Sequence, residues 1–404
     1  MLKYWLLTMA AMLGLVAAPA AQAQISDGVI KLGVLTDMSS LYADLSGQGS
    51  VIAARMAVED FGAAKKGMKV EIISADHQNK ADVGSGIARQ WLDAEKVDAI
   101  LDTPNSAVAL AVNQIVKEKG KAFLVSGAAS SDLTGKACSP NTVHWTYDTW
   151  ALANGTGSAI VKTGGDTWFF LTSDYAFGHA LERDTEAVVI KNGGKVLGKV
   201  RHPLNTADFS SFLLQAQSSK AKIIGLANAG GDTTNSIKQA AEFGIVKGGQ
   251  NLAGLLVFIT DVHALGLQTA QGLIFTEAFY WDLNDKTRAF AKRFSELNRG
   301  VYPTMVHAGV YAATLHYLKA VEALKSDDGT KVIAKMKEMP TDDPLFGKGT
   351  IRADGRKLHP MYLFEVKKPA ESKGPWDYYK VRATTPAEQA FRPIDQGDCP
   401  LVKK

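Results

Sequence analysis

The sequence predicts an α/β protein built as two doubly wound, mostly parallel-sheet lobes. Short apolar, β-branched runs alternate with helical periodicity, which is the rhythm of βαβα units covered on both faces. That rhythm restarts in the second half, and 404 residues is length enough for two such units.

The first set opens with a strand over 29–36. Ser46-Gly47-Gln48-Gly49 then starts a helix that runs to Phe61, with Ile52, Met56 and Val58 as its apolar residues. A strand over 70–74, a helix over 82–95 and a buried strand over 99–101 follow. The helix over 106–119 is stopped by Gly120, and 122–125 is the next strand. The second set has strands over 168–171, 195–200, 223–227, 255–259 and 274–276, with helices such as 208–217 and 233–243 between them. Two more helices are expected over 286–298 and 305–324, then a strand over 361–366. From Lys367 the chain is rich in Pro, Gly and charge. It reads as a surface tail with a short strand near 378–381.

The N-terminus bears on location. Lys3, an apolar run over 5–18, Pro19 and then Ala21-Gln22-Ala23 have the layout of a secretory leader cleaved after Ala23. The run falls short of the roughly 20 residues that a membrane span needs. The expected location is therefore the periplasm. With no lipid-attachment Cys near Ala23, a free protein is expected rather than a tethered one. The two cysteines, Cys138 and Cys399, point to one disulfide in an exported chain, with two separate thiols as the other reading. Neither CxxC nor a His/Cys cluster is present, so no metal or cofactor is expected. A net charge of +4 without a basic stripe argues against nucleic acid.

In open parallel sheets, ligands lie beyond the C-terminal ends of the strands. That rule selects the loop holding Tyr42, the stretch with Asn105 and Ser106, and Gly127-Ala128-Ala129-Ser130. In the second half it selects Tyr175 and Phe177, then Asn228-Ala229-Gly230 with Asp232, then Phe258 and Tyr280. Ser106 opens a helix, where free N–H groups and the helix dipole favour an anion. Ser106 and Ser130 read equally well as helix caps, and Gly230-Gly231 as a tight turn. The aromatics, gathered at strand ends, suggest an apolar stacking pocket.

Enzyme signatures fail. Gly47-Gln48-Gly49 lacks the third glycine of a dinucleotide fingerprint, and Met68 stands where a phosphate loop needs Lys. No GxSxG occurs, Ser219–Lys222 reads as a solvated loop, and His307 as a satisfied helix residue. No enzymatic activity is expected.

The ordered set Ile30 to Ser39, Ala53 to Phe61, Asn105-Ser106, Gly127 to Gly135, Tyr175-Ala176-Phe177-Gly178 and Gly347 to Val366 resembles the periplasmic solute-binding proteins of the branched-chain amino acid family. These have the type I fold and serve ABC importers. The resemblance implies a three-strand hinge between the lobes. It implies an N-lobe of 24–145 plus 278–358, a C-lobe of 146–277 plus 359–383, and a tail of 384–404 tied to the N-lobe. It also implies a membrane permease as partner of a monomer. By position, Ser106 matches the hydroxyl that holds the ligand carboxylate, and Gly127 and Ala129 match main-chain contacts. Phe177 matches an aromatic cover, and Asn228 to Gly230 a contact loop on the other lobe.

Two departures matter. Ala129 lacks the hydroxyl usual in amino acid binders, and 255–258 reads Leu-Leu-Val-Phe where an acidic partner for an ammonium is usual. A buried ammonium without a counter-charge is costly. The sequence thus looks like the branch that binds benzoate-type and phenylpropanoid acids. A branched-chain amino acid or amide binder and a ligand-binding sensory domain are the alternatives.

Overall fold

The computed structural model describes residues 25–403. The expected leader and its cleavage point lie outside these residues.

The first half forms β1 (Ile30–Thr36), α1 (Gly47–Phe61), β2 (Val70–Asp76), α2 (Ala81–Asp93), β3 (Ala99–Asp102), α3 (Ser106–Lys119), β4 (Ala122–Val125) and β5 (Thr142–His144). These strands make one five-stranded parallel sheet, in the order β2-β1-β3-β4-β5. A helical run follows: α4 (Thr149–Leu152), a π turn (Ala153–Gly157) and α5 (Ser158–Lys162). The second half forms β6 (Thr167–Ser173), α6 (Ala176–Lys191), β7 (Lys195–His202), α7 (Ser210–Ser218), β8 (Ile223–Ala227), α8 (Gly231–Glu242) and β9 (Asn251–Gly254). Its sheet is parallel, in the order β7-β6-β8-β9. Then come α9 (Ile259–Leu265), α10 (Leu267–Ala270), β10 (Ile274–Glu277), α11 (Asp285–Leu297), α12 (Met305–Leu324) and α13 (Gly329–Glu338). The last elements are β11 (Thr341–Asp343), β12 (Gly347–Ile351), β13 (Lys357–Leu358), β14 (Met361–Val366) and β15 (Tyr379–Thr385). β10, β14 and β15 form an antiparallel sheet.

Local chemistry fixes the ends. The Asn105 side chain accepts from the N–H groups of Ala107 and Val108 and starts α3. Gly120, at φ 64, ends it in the left-handed region that glycine enters freely. α12 is buried almost all round and packs along α1. The two helices come so close that a Cβ at Gly49 would lie 2.3 Å from His307 Nε2. The His307 ring holds Ser46 O through Nε2 (2.8 Å) and Thr304 N through Nδ1 (3.1 Å), and burial keeps it neutral, down to about 4.

Two expectations are corrected. The strand expected over 255–259 is not one: β9 ends at Gly254, and 255–258 is buried loop leading into α9. Asp261 accepts the Phe258 N–H at 2.9 Å and caps that helix. Apolar content alone does not separate buried strand from buried loop. The tail expected from Lys367 is also more ordered than a surface segment. β15 is seven residues long and pairs with β14, and Trp376 and Tyr379 are buried in the core beside the second sheet. β5, α13 and the β11–β12 hairpin are elements beyond those expected. The disulfide between Cys138 and Cys399 is present.

Gly49→Ala should destabilise the fold by about 1–3 kcal/mol through overpacking against His307. Urea unfolding curves compared with the wild type check this.

Candidate functional site

A small cavity lies where the C-terminal ends of the two parallel sheets face each other. Tyr42 and Leu45 from the β1–α1 loop line it, with Pro104 after β3, Gly127 and Ala129 after β4, and Tyr147 after β5. From the opposite side come Tyr175 and Phe177 after β6, Ala229 after β8, and Leu256 and Phe258 after β9. Every one of them is at most a few per cent exposed or partly buried, and Phe258 is wholly buried.

Hydrogen bonds hold the walls. The Asp37 carboxylate accepts from Tyr42 N (2.8 Å), from the Ser40 hydroxyl (2.9 Å) and from Asn79 Nδ2 (2.6 Å), and so shapes the loop that presents Tyr42. The hydroxyls of Tyr42 and Tyr175 meet at 2.5 Å across the two sides. Burial first, and then each other's proximity, push the Tyr42 hydroxyl well above its usual range, so it stays a neutral donor. Tyr147 donates to Gly127 O at 2.6 Å. Ser106 is buried behind this wall, and its Oγ accepts from the N–H groups of Ala129 (3.3 Å) and Ser130 (3.2 Å). Its own hydroxyl hydrogen is left to donate.

Of the residues singled out in the sequence, Tyr42, Gly127, Ala129, Tyr175, Phe177, Ala229 and Phe258 come together on the cavity. The others are close in the chain but turned elsewhere. Asn105 caps α3. Ala128 packs in the core beside the first sheet, and its carbonyl meets His144 Nε2 at 2.7 Å. Ser130 caps the turn Ser131–Thr134. Asn228 bonds Thr233 (2.8 Å), Ser236 and His202. Gly230, at φ 57, lets its loop approach Leu41 O, which a Cβ there would meet at 2.6 Å. Asp232 accepts from Asn205 N and Thr206 N, with burial pushing it up to about 6. Tyr280 stacks on Tyr379, ring centres 4.7 Å apart, inside the core of the second half.

Leu45, Pro104, Tyr147 and Leu256 complete the lining. Tyr147 follows β5, a strand too short to stand out in the sequence, so the strand-end rule had nothing there to point from. Among the described residues, no Lys, Arg or His lines the cavity. The carboxyl groups nearest in chain, Asp102 and Asp261, are buried and pushed up to about 7, chiefly by loss of solvation. Asp261 lines a neighbouring cleft with Asp44 and Thr260 and does not line the cavity itself. The lining offers neutral tyrosine hydroxyls and aromatic walls.

Comparisons with known proteins agree with this architecture. Residues 29–375 match the periplasmic binding protein family. A crystal structure of a periplasmic binding protein from Burkholderia mallei is similar at 55% identity and a TM-score of 0.91, covering 93% of this chain and 100% of that one. A branched chain amino acid ABC transporter periplasmic ligand-binding protein from Burkholderia xenovorans is similar at 42% identity and a TM-score of 0.82, covering 92% and 99%. An ABC transporter solute-binding protein from R. palustris in complex with 4-hydroxybenzoate shares the fold at 24% identity and a TM-score of 0.81, covering 91% and 100%. The first is a periplasmic binding protein and the other two are ligand-binding proteins of ABC transporters, none of them an enzyme, and the parallel-sheet architecture is the one seen here. The chain belongs to the periplasmic binding protein family.

Proposed function

We propose that this protein is the solute-binding component of an ABC importer and captures a small aromatic or hydrophobic carboxylate, of benzoate or phenylpropanoid type. The observation that carries this reading is the wall of the cavity. It is aromatic and apolar, it has neutral hydroxyl and N–H donors, and it lacks a carboxylate of its own to hold an ammonium. The R. palustris relative bound to 4-hydroxybenzoate supports the same class.

In this reading the acid headgroup meets Ser106 and the main chain at Gly127 and Ala129. Tyr42, Tyr175, Phe177 and Phe258 enclose the ring, and the loop from Asn228 to Asp232 supports the far wall. The lobes are 24–145 plus 278–358 and 146–277 plus 359–383, and they close about a hinge onto the ligand. Residues 1–23 are the leader removed on export, and the closed form docks on a membrane permease. A branched-chain amino acid is the second reading, favoured by the similarity to the B. xenovorans branched chain amino acid ABC transporter ligand-binding protein.

A thermal-shift screen separates the two readings. Benzoate, 4-hydroxybenzoate or a cinnamate should raise the melting temperature while leucine leaves it unchanged; leucine alone raising it would overturn the acid reading. Tyr175→Phe should raise the Kd for the best acid by about 2–10-fold, the worth of one neutral hydrogen bond between the two sides, as read by calorimetry.

A further inference from the structure

Behind the Gly127 wall lies a group of buried polar atoms whose hydrogen bonds are unmet. Asp102 ends β3, is fully buried, and has no partner for its Oδ1. Ser50 Oγ, Thr103 Oγ1 and Asn105 Nδ2 are also buried and unpartnered. Unmet groups of this kind call for an explanation. Asp102 and Thr103 both take left-handed backbone, φ 73 and 57, which costs a residue with a side chain and concentrates at functional sites. A Cβ at Gly127 would lie 2.9 Å from Asp102 Oδ1, so a single backbone residue separates this carboxyl from the cavity.

Among the described residues no cation balances Asp102. Thr36 Oγ1 donates to its Oδ2 at 3.1 Å. The Ser50 hydroxyl and the Gly127 N–H lie near enough to favour the charged form, yet Oδ1 completes no bond. The titratable neighbours are negative or neutral. On the β1 side Asp37 is committed to its own loop. After β5, Tyr147 feels Asp102 and also Tyr175, Glu277 and Asp261 from across the cleft. On α12, His307 is neutral and bound to Ser46 O. Burial holds the Asp102 carboxyl up to about 7.

An acid entering the cavity sets a second negative charge beside this one. Two close carboxylates without a cation do not both stay ionised. We propose that capture of an acid ligand is coupled to uptake of one proton by Asp102, so that ligand and Asp102 together carry a single negative charge. The proposal rests on the acid reading above. The balance is direct: the Asp102 carboxylate, one proton from solvent and the ligand carboxylate give a carboxylic acid at residue 102 beside the bound anion. Below about pH 7 Asp102 already holds its proton and affinity is flat. Above it, each pH unit should weaken binding by up to about tenfold.

Titration calorimetry of the leaderless chain with benzoate and with 4-hydroxybenzoate, in phosphate and in Tris, tests this at about pH 6 and about pH 8. At the higher pH the enthalpies in the two buffers should differ by close to one proton's heat, and at the lower pH they should agree. Asp102→Asn should remove both the difference and the pH dependence of Kd. Binding at the higher pH with equal enthalpies overturns the coupling and leaves the acid reading standing, as does proton uptake that persists in D102N. Binding of neither acid at either pH overturns both. The wild-type buffer comparison decides the matter even where D102N fails to fold.

Discussion

The grip of Asp37 on the β1–α1 loop is the interaction from which the rest of the site follows. This one carboxylate gathers Tyr42 N, the Ser40 hydroxyl and the Asn79 amide. It thereby aims Tyr42 across the cleft at Tyr175 and leaves Leu41 O facing Gly230 and Gly231. Other bonds, Ala43 N to Ser40 O and Ser46 N to Tyr42 O, turn the loop, but it is Asp37 that holds Tyr42 N. With it, a flexible segment between strand and helix becomes a wall. The opposite wall relies on the same device, because Asp261 caps α9 through Phe258 N and fixes the bend that carries Leu256 and Phe258.

A second network joins the cavity to the crossing segments and the tail. Arg356 is wholly buried, donates to Tyr147 O at 3.1 Å, lies 3.6 Å from Asp148 and sits over the Phe391 ring at 4.5 Å. Burial lowers its guanidinium to about 10, yet it stays charged at neutral pH, and Asp148 supplies the counter-charge. Removing one member of such a pair strands the other, which costs more than the pair gains. Arg392 in the tail donates to Ser131 O beside the Gly127–Ser130 wall, while Cys399 is bonded to Cys138. The tail thus braces both the Gly127–Ser131 loop and the segment that carries Tyr147.

How legible all this was depended on the kind of signal. Helix α3 and strands β4, β8 and β14 end where caps, glycines and apolar runs say they should, because those signals act over a few residues. The run at 255–259 misled because burial makes loop and strand equally apolar. Trp376 and Tyr379 sit in a Pro- and Gly-rich stretch, and only tertiary packing shows that these rings close a core. At the site, topology picks the loops, but side-chain direction within a loop does not follow from topology. Hence Phe177 and Ala229 face the cavity, while Asn228 turns back to Thr233 and Asp232 holds the neighbouring β7–α7 loop at Asn205 and Thr206.

The absence of a cation from the cavity lining has a consequence for delivery. An Arg placed there would bind a carboxylate strongly, but each release would strand a buried positive charge, at a cost of several kcal/mol. Tyrosine hydroxyls, a serine and main-chain N–H groups stay neutral in both states, and they can satisfy one another when the ligand leaves. The Tyr42–Tyr175 and Tyr147–Gly127 bonds are instances of that self-satisfaction. Enclosure by apolar walls then supplies affinity, and polar matching supplies selectivity without making the ligand hard to give up. On the proposed reading, in which a carboxylate is bound and then handed over, a neutral grip of this kind is better matched than an ion pair.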